Sequence, residues 1–213
     1  MATDMHKKYI EMNNQLIIAI SGLSGCGKRE LANYFSRDFN FDVISTNSFI
    51  KPDYNEKYTL PNGTEYENIT DNVDAIDWVK FNKTVNDRKD GGIIITSYVF
   101  TPELMDYKID IGFHLKCSKD KLLENRHKFI YENNDKEPYK KMYELMNSKM
   151  DKYILNQITL PKYYTYKNII GTYINTDNIK IEEVYDKAFD IVVKAINDDL
   201  IKVKGLRGYI SYD

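Results

Sequence analysis

Residues 16–35 read LIIAISGLSGCGKRELANYF: an apolar run, a glycine-rich turn, a lysine, and a segment with apolar residues at helical spacing. Leu16 to Ile20 has the unbroken hydrophobicity of a strand buried on both faces, and Leu31, Ala32 and Phe35 recur at threes and fours, as on one side of a helix. Between them, Gly22 to Lys28 has the Walker A spacing G-x-x-x-x-G-K. In that motif backbone N–H groups wrap phosphate oxygens, the following helix adds its positive dipole end, and the lysine reaches the terminal phosphates. Gly22, Ser24, Gly25, Cys26, Gly27, Lys28 and Arg29 are the residues expected to touch phosphate. The residue after the lysine should be Ser or Thr, whose hydroxyl binds Mg²⁺; Arg29 stands there instead.

Working outward, the chain has 213 residues, enough for one sizeable α/β domain, and nothing in its composition marks a second. A formal net charge of −2 with 29% charged residues gives no nucleic-acid footprint, so no nucleic acid is expected as a partner. No apolar run approaches the ~20 residues of a membrane span. Two cysteines, Cys26 and Cys117, and an N-terminus without a long apolar core suggest a reduced, cytoplasmic protein. For Cys26 two readings stand: a thiolate favoured by the helix N-terminus, or a small residue tolerated in the loop.

Residues 1–14 are polar and read as a flexible tail, followed by the first strand, the loop, a helix ending near Asn40, and a second strand over Phe41 to Ser45. Residues 46–70 carry Lys51-Pro52, Leu60-Pro61 and Asn62-Gly63, turn chemistry that excludes a long regular element. Long loops at the C-terminal end of a strand beside a phosphate loop tend to bind ligands, so 46–70 is read as a substrate loop. A helix is predicted over Asp71 to Lys89, with Ala75, Ile76, Val79 and Phe81 on its inner face, then a buried strand over Ile93 to Phe100. Further strands are predicted at Ile109–Lys116 and Ile169–Ile174. Helices are predicted from Ser118 to about Asn133, from Pro138 to about Gln157, with a core stripe of Tyr139, Met142, Met146, Met150 and Tyr153, and from Ile181 to Val203, with Val184, Ala188, Ile191, Val192 and Ala195 inward. This alternation implies a mainly parallel five-stranded sheet with helices on both faces: a three-layer α/β/α P-loop NTPase fold.

Phosphoryl transfer needs, besides the cradle, a metal bridging β and γ oxygens and a group that accepts the acceptor's proton. Carboxylates at the C-terminal ends of neighbouring strands ordinarily meet both needs. Here those ends read Ser45-Thr46-Asn47-Ser48 and Ile95-Thr96-Ser97, without an acid.

These residues resemble the nicotinamide riboside kinases, within the uridine kinase-like group of P-loop nucleoside kinases. The resemblance rests on IAISGLSGCGK, on Ser48-Phe49-Ile50-Lys51-Pro52 against the family's D-F-[FY]-K-P, and on Asn62-Gly63 followed by Asp71-Asn72-Val73-Asp74-Ala75-Ile76-Asp77 against W-D-x-P-x-A-L-D. It implies ATP as the nucleotide, a nucleoside as the small-molecule partner, Lys51 and Asp71 as substrate ligands, and Asp71 as the acid on the ribose hydroxyls. As a plain sequence feature Asp71 could equally be a helix N-cap. The resemblance also locates the departures. Arg29 replaces the Mg²⁺ ligand, Asn47 the general-base Asp, and Thr96 the acidic metal partner, while the helical lid that the resemblance implies at about 126–138 has its arginine-rich segment reduced to Glu124-Asn125-Arg126-His127-Lys128, with Arg126 and Lys128 as its cations.

The expectation is therefore a nucleoside kinase-like protein that binds ATP or another phosphate ligand but is catalytically silenced, with Mg²⁺ binding doubtful and no metal site assigned. The rival expectation is an active ATP-dependent kinase of a ribonucleoside 5'-hydroxyl, with Asp53, Glu56 or Asp74 as base; a third is a partner-binding module that uses only the fold. No N-K-x-D segment points to a GTPase. His6, His114 and His127 lack partners at ligand spacing and read as tail, strand and lid residues.

Overall fold

The computed structural model describes residues 2–67, 71–133, 135, 140, 142–143 and 148–204. Strand β1 (Ile17–Ser21) is followed by the phosphate loop and helix α2 (Lys28–Phe39), after an N-terminal helix α1 (Ala2–Asn13). Then come β2 (Asp42–Ser45), a short hairpin of β3 (Lys57–Thr59) and β4 (Glu65–Glu67), α3 (Trp78–Asn86), β5 (Ile93–Ser97) and β6 (Ile111–Lys116). The remaining elements are α4 (Lys119–Glu132), α5 (Ser148–Ile154), a π-turn (Leu155–Thr159) running into α6 (Leu160–Tyr163), β7 (Tyr173–Asn175) and α7 (Ile181–Lys204).

The main sheet has five strands in the order β2-β5-β1-β6-β7, all parallel. Because β1 is central and every one of its residues is buried, the apolar run before the loop becomes the axis of the fold. Its side chains alternate between two cores. Ile18 and Ile20 pack with Phe35 and Phe39 of α2 and with Ala188, Val192 and Ile196 of α7. Ile17 and Ala19 pack on the other face with Phe81 and Val85 of α3, Ile93, Ile95 and Phe100. Helices thus cover both faces, the three-layer α/β/α arrangement of a P-loop NTPase. Each fully buried Ile or Phe contributes about 1.5–3 kcal/mol of transfer free energy, so these two layers dominate stability.

Several predicted elements shift for identifiable reasons. The expected tail is the helix α1, because Met5, Tyr9 and Ile10, though few among polar neighbours, face the α2/α7 core. His6 is 4% exposed between the rings of Phe39 and Phe41, each 5.3 Å away and edge-on, so it is a core residue rather than a tail residue. The helix predicted from Asp71 starts only at Trp78, since Asp71 is left-handed (φ 52) and Asn72 and Ile76 are extended, Ile76 being bridged to Ile50. Val73–Ala75 form a 3₁₀ turn, and Val79, expected inside, is 84% exposed. Ile191 of α7 also faces outward. The last strand begins at Tyr173, because the Ile169 N–H donates to the Phe100 carbonyl instead of joining the sheet. The 46–70 loop holds a 3₁₀ turn (Thr46–Phe49) and the hairpin. Of the helix predicted from Pro138, Tyr139 and Met146 lie outside the described residues, as do 134 and 136–138 of the lid.

Candidate phosphate-binding site

The loop between β1 and α2 takes its shape from glycines. A Cβ on Gly22 (φ 142) would lie 2.5 Å from the Leu115 carbonyl oxygen, and one on Gly25 (φ 98) 2.7 Å from that of Leu122. Backbone passes here where no side chain fits. Gly27, also left-handed, caps α2 without a side-chain hydrogen bond, so the first helical N–H groups remain available to an anion. Lys28 Nζ donates to the carbonyls of Gly22 (2.6 Å) and Leu23 (3.1 Å), folded back over the loop. Cys26 is 2% exposed, and burial pushes its thiol up to about 11, against a thiolate in the loop.

Beside the cradle, Arg29 is exposed and its guanidinium lies 4.7 Å from the centre of the Phe129 ring on α4, a cation–π contact. Thr96 is in register with Ile20 and Ser45 near the ends of β1 and β2. It is buried, as is Thr46, whose hydroxyl donates to Ser97 Oγ at 3.3 Å. Asn47 is exposed, and its backbone N–H reaches Ser45 Oγ. The strand ends around the loop therefore present Ser21, Ser45, Thr46, Thr96 and Ser97, hydroxyls only. Mg²⁺ favours hard anionic oxygens, and the ends of β1, β2 and β5 carry no carboxylate. Among the described residues no group of three or more His, Cys, Asp or Glu side chains could hold a metal.

Asp71 is 7% exposed and its carboxylate is turned onto the loop. It accepts from the Ser24 N–H (3.1 and 3.2 Å) and the Ser24 hydroxyl (2.8 Å), and pairs with Arg126 Nη1 at 3.4 Å. It caps no helix: Asn72 receives the Asp74 N–H of the 3₁₀ turn, and Asp77 receives the Lys80 N–H of α3. Arg126 is no free lid cation, for it is 5% exposed, with Nη2 3.1 Å from Asp151 of α5. Burial works against its charge, yet Asp151 and Asp71 hold its pKa above the ordinary arginine value. His127 Nε2 lies 3.0 Å from the second Asp151 oxygen, and Lys128 is exposed.

On the substrate-loop side, Lys51 Nζ donates to the Asp74 carbonyl at 2.9 Å. Lys162 of α6 bridges Glu56 and Asp74, 2.9 Å from each. Glu56 also accepts from Tyr54, Tyr58 and Asn72. Burial would raise its pKa, but the hydrogen bonds from Tyr54, Lys162 and Tyr58 bring it down to about 2. Lys162 escapes sequence reading because 106 residues separate it from Glu56. Next to this cluster Tyr98, Val73 and Val99 pack with Leu23, Trp78, Tyr163 and Tyr166.

No curated protein matches the sequence. Among solved structures, a gluconokinase from Sinorhizobium meliloti 1021 is similar at 11% identity and a TM-score of 0.56, with 89% of this chain and 98% of that one covered. A putative fructose transport system kinase from Silicibacter sp. TM1040 is similar at 12% identity and a TM-score of 0.52, covering 75% and 89%. At such identities the likeness is one of fold, a P-loop kinase-like fold. The AAA_18 model, an AAA domain, matches residues 18–152, from inside β1 through the loop, the strand ends and α4 into α5, and with well over half its length matched the chain belongs to that family.

Proposed function

We propose that this chain is a nucleoside kinase-like protein, of the nicotinamide riboside and uridine kinase type, that binds ATP or another phosphate ligand at Gly22–Lys28 and is silenced for phosphoryl transfer. The observation that carries the reading is a cradle with its glycines, free helix N-terminus and lysine in place, beside strand ends that offer hydroxyls and no carboxylate. On binding, Lys28 would exchange the Gly22 and Leu23 carbonyls for phosphate oxygens, and the first N–H groups of α2 would supply the remaining donors. Arg29 adds a fixed positive charge nearby.

Transfer is a different demand. A positioned general base contributes about 10²–10⁴-fold and a metal several kcal/mol of charge stabilisation. Asn47 cannot accept a proton as a base, and Arg29 cannot ligate a metal. Of the carboxylates that could stand in, Glu56 and Asp74 are both tied to Lys162.

Calorimetry with ATP and ADP, each with and without Mg²⁺, tests the reading. Affinity should change little on chelation, and Lys28→Ala should weaken it at least about tenfold, as loss of a charge-assisted contact does. Unchanged affinity in Lys28→Ala, or a steep dependence on Mg²⁺, would contradict it.

A further inference from the structure

Lys28, Ser24 and Arg126 are taken up by partners within the chain. Lys28 Nζ is spent on two loop carbonyls, and the Ser24 N–H and hydroxyl and the Arg126 guanidinium converge on Asp71. That carboxylate thus receives a loop N–H, a hydroxyl and a guanidinium, the set of donors a phosphate oxygen would receive. Its backbone is left-handed, an uncommon conformation for a residue other than glycine, and its carboxylate makes these contacts from there. Arg126 keeps a donor in reserve: its Nε has no hydrogen-bond partner among the described residues, although the side chain is 5% exposed.

We propose that Asp71 is an intramolecular competitor, occupying the oxyanion site made by Ser24 and Arg126, so that a phosphate-bearing ligand binds by displacing it. This rests on the reading of Gly22–Lys28 as a phosphate site and adds a gate to it. Displacement does not strand the buried guanidinium, because Arg126 keeps its pair with Asp151 through Nη2 while the Nη1 that Asp71 leaves meets the incoming oxyanion. It is also driven by like charge, since a phosphate on the loop and the Asp71 carboxylate cannot share one site. The chain that binds is then only the fraction with Asp71 released, and apparent affinity is lowered by that fraction.

The test is calorimetric titration of the full chain with inorganic phosphate and, separately, ATP, in wild type, Asp71→Asn and Asp71→Ala. The asparagine variant keeps the side-chain shape and an acceptor for Ser24 while removing the charge. Both variants should bind both probes at least about fivefold more tightly, the low end of ordinary coupling between sites, with alanine no weaker than asparagine. Equal or weaker binding in either would overturn the competitor. Lys28→Ala, run on the same probes, separates the two ideas: weaker binding there with no gain at Asp71 leaves the phosphate site standing and removes the gate, whereas no binding by any form removes both. A measurement without substitution guards against a variant that fails to fold. Amide hydrogen exchange over residues 71–76 of the wild type should quicken on adding phosphate, and unchanged or slower exchange would overturn the proposal.

Discussion

His114 on β6 is 2% exposed beneath the phosphate loop, with Nδ1 2.8 Å from both Ser21 Oγ and Asn168 Nδ2 and Nε2 2.6 Å from the Tyr163 hydroxyl. An amide nitrogen only donates, so Nδ1 accepts and Nε2 carries the proton; the ring is neutral and fully used. Burial first, then Lys116 and Lys28, lower its pKa to about 4, against about 6.5 in the unfolded chain. Between those values the unfolded state holds a proton that the folded state lacks, so stability falls as pH drops from about 6.5 to about 4. Denaturant unfolding across that window should therefore show a flatter decline in His114→Gln than in wild type. An identical slope would mean that another group sets it. Glu56, at about 2 in the fold, cannot stand in, because its contribution is lost only below the ordinary carboxylate range near 4.5.

Helix α1 ties the N-terminal residues to α7. Tyr9 packs into the α2/α7 core, with its hydroxyl 3.4 Å from Asp110, and Asn13 reaches Asp199 of α7 at 3.2 Å. Tyr9→Ala should cost about 2–4 kcal/mol, as truncation of a buried aromatic does, and lower the melting temperature by several degrees at this chain length. A melting temperature unchanged within a degree would show that α1 is not part of the cooperative unit. Sequence alone reveals elements whose apolar residues are dense and periodic: β1, β5 and α7 emerge close to their observed bounds because burial on one or both faces writes itself into the pattern. α1 stays hidden because three apolar residues suffice to dock it. The start of α3 stays hidden because Ile76 is held extended by its bridge to Ile50, while Asp71 meets Ser24 and Arg126, 47 and 55 residues away. For the same reason the cradle is legible as a local motif, whereas the ties of Asp71, Arg126, Asp151, Glu56 and Lys162 are long-range and carry no spacing signal.

For the whole molecule, the proposed function holds that the fold retains what binds phosphate while the roles that chemistry requires are missing at three separate points, Arg29, Asn47 and Thr96. Groups that act as a unit are non-additive, so no single reversion should restore transfer. The triple variant Arg29→Thr, Asn47→Asp, Thr96→Glu should give measurable nucleoside-dependent ATP turnover; a metal without carboxylate partners is poorly held, and a base without a placed metal faces an uncompensated γ-phosphate. Asn47→Asp alone should, if anything, weaken ATP binding by adding negative charge near the phosphates. The wild type itself provides the most direct measurement: ATP turnover at saturating Mg·ATP with nicotinamide riboside, uridine and cytidine, on protein whose ATP binding is verified by calorimetry in the same preparation. The account predicts bound ATP with no nucleoside-dependent turnover above background. Robust turnover with any of the three would contradict it and send the search for the base to the carboxylates of Asp53, Glu56 and Asp74.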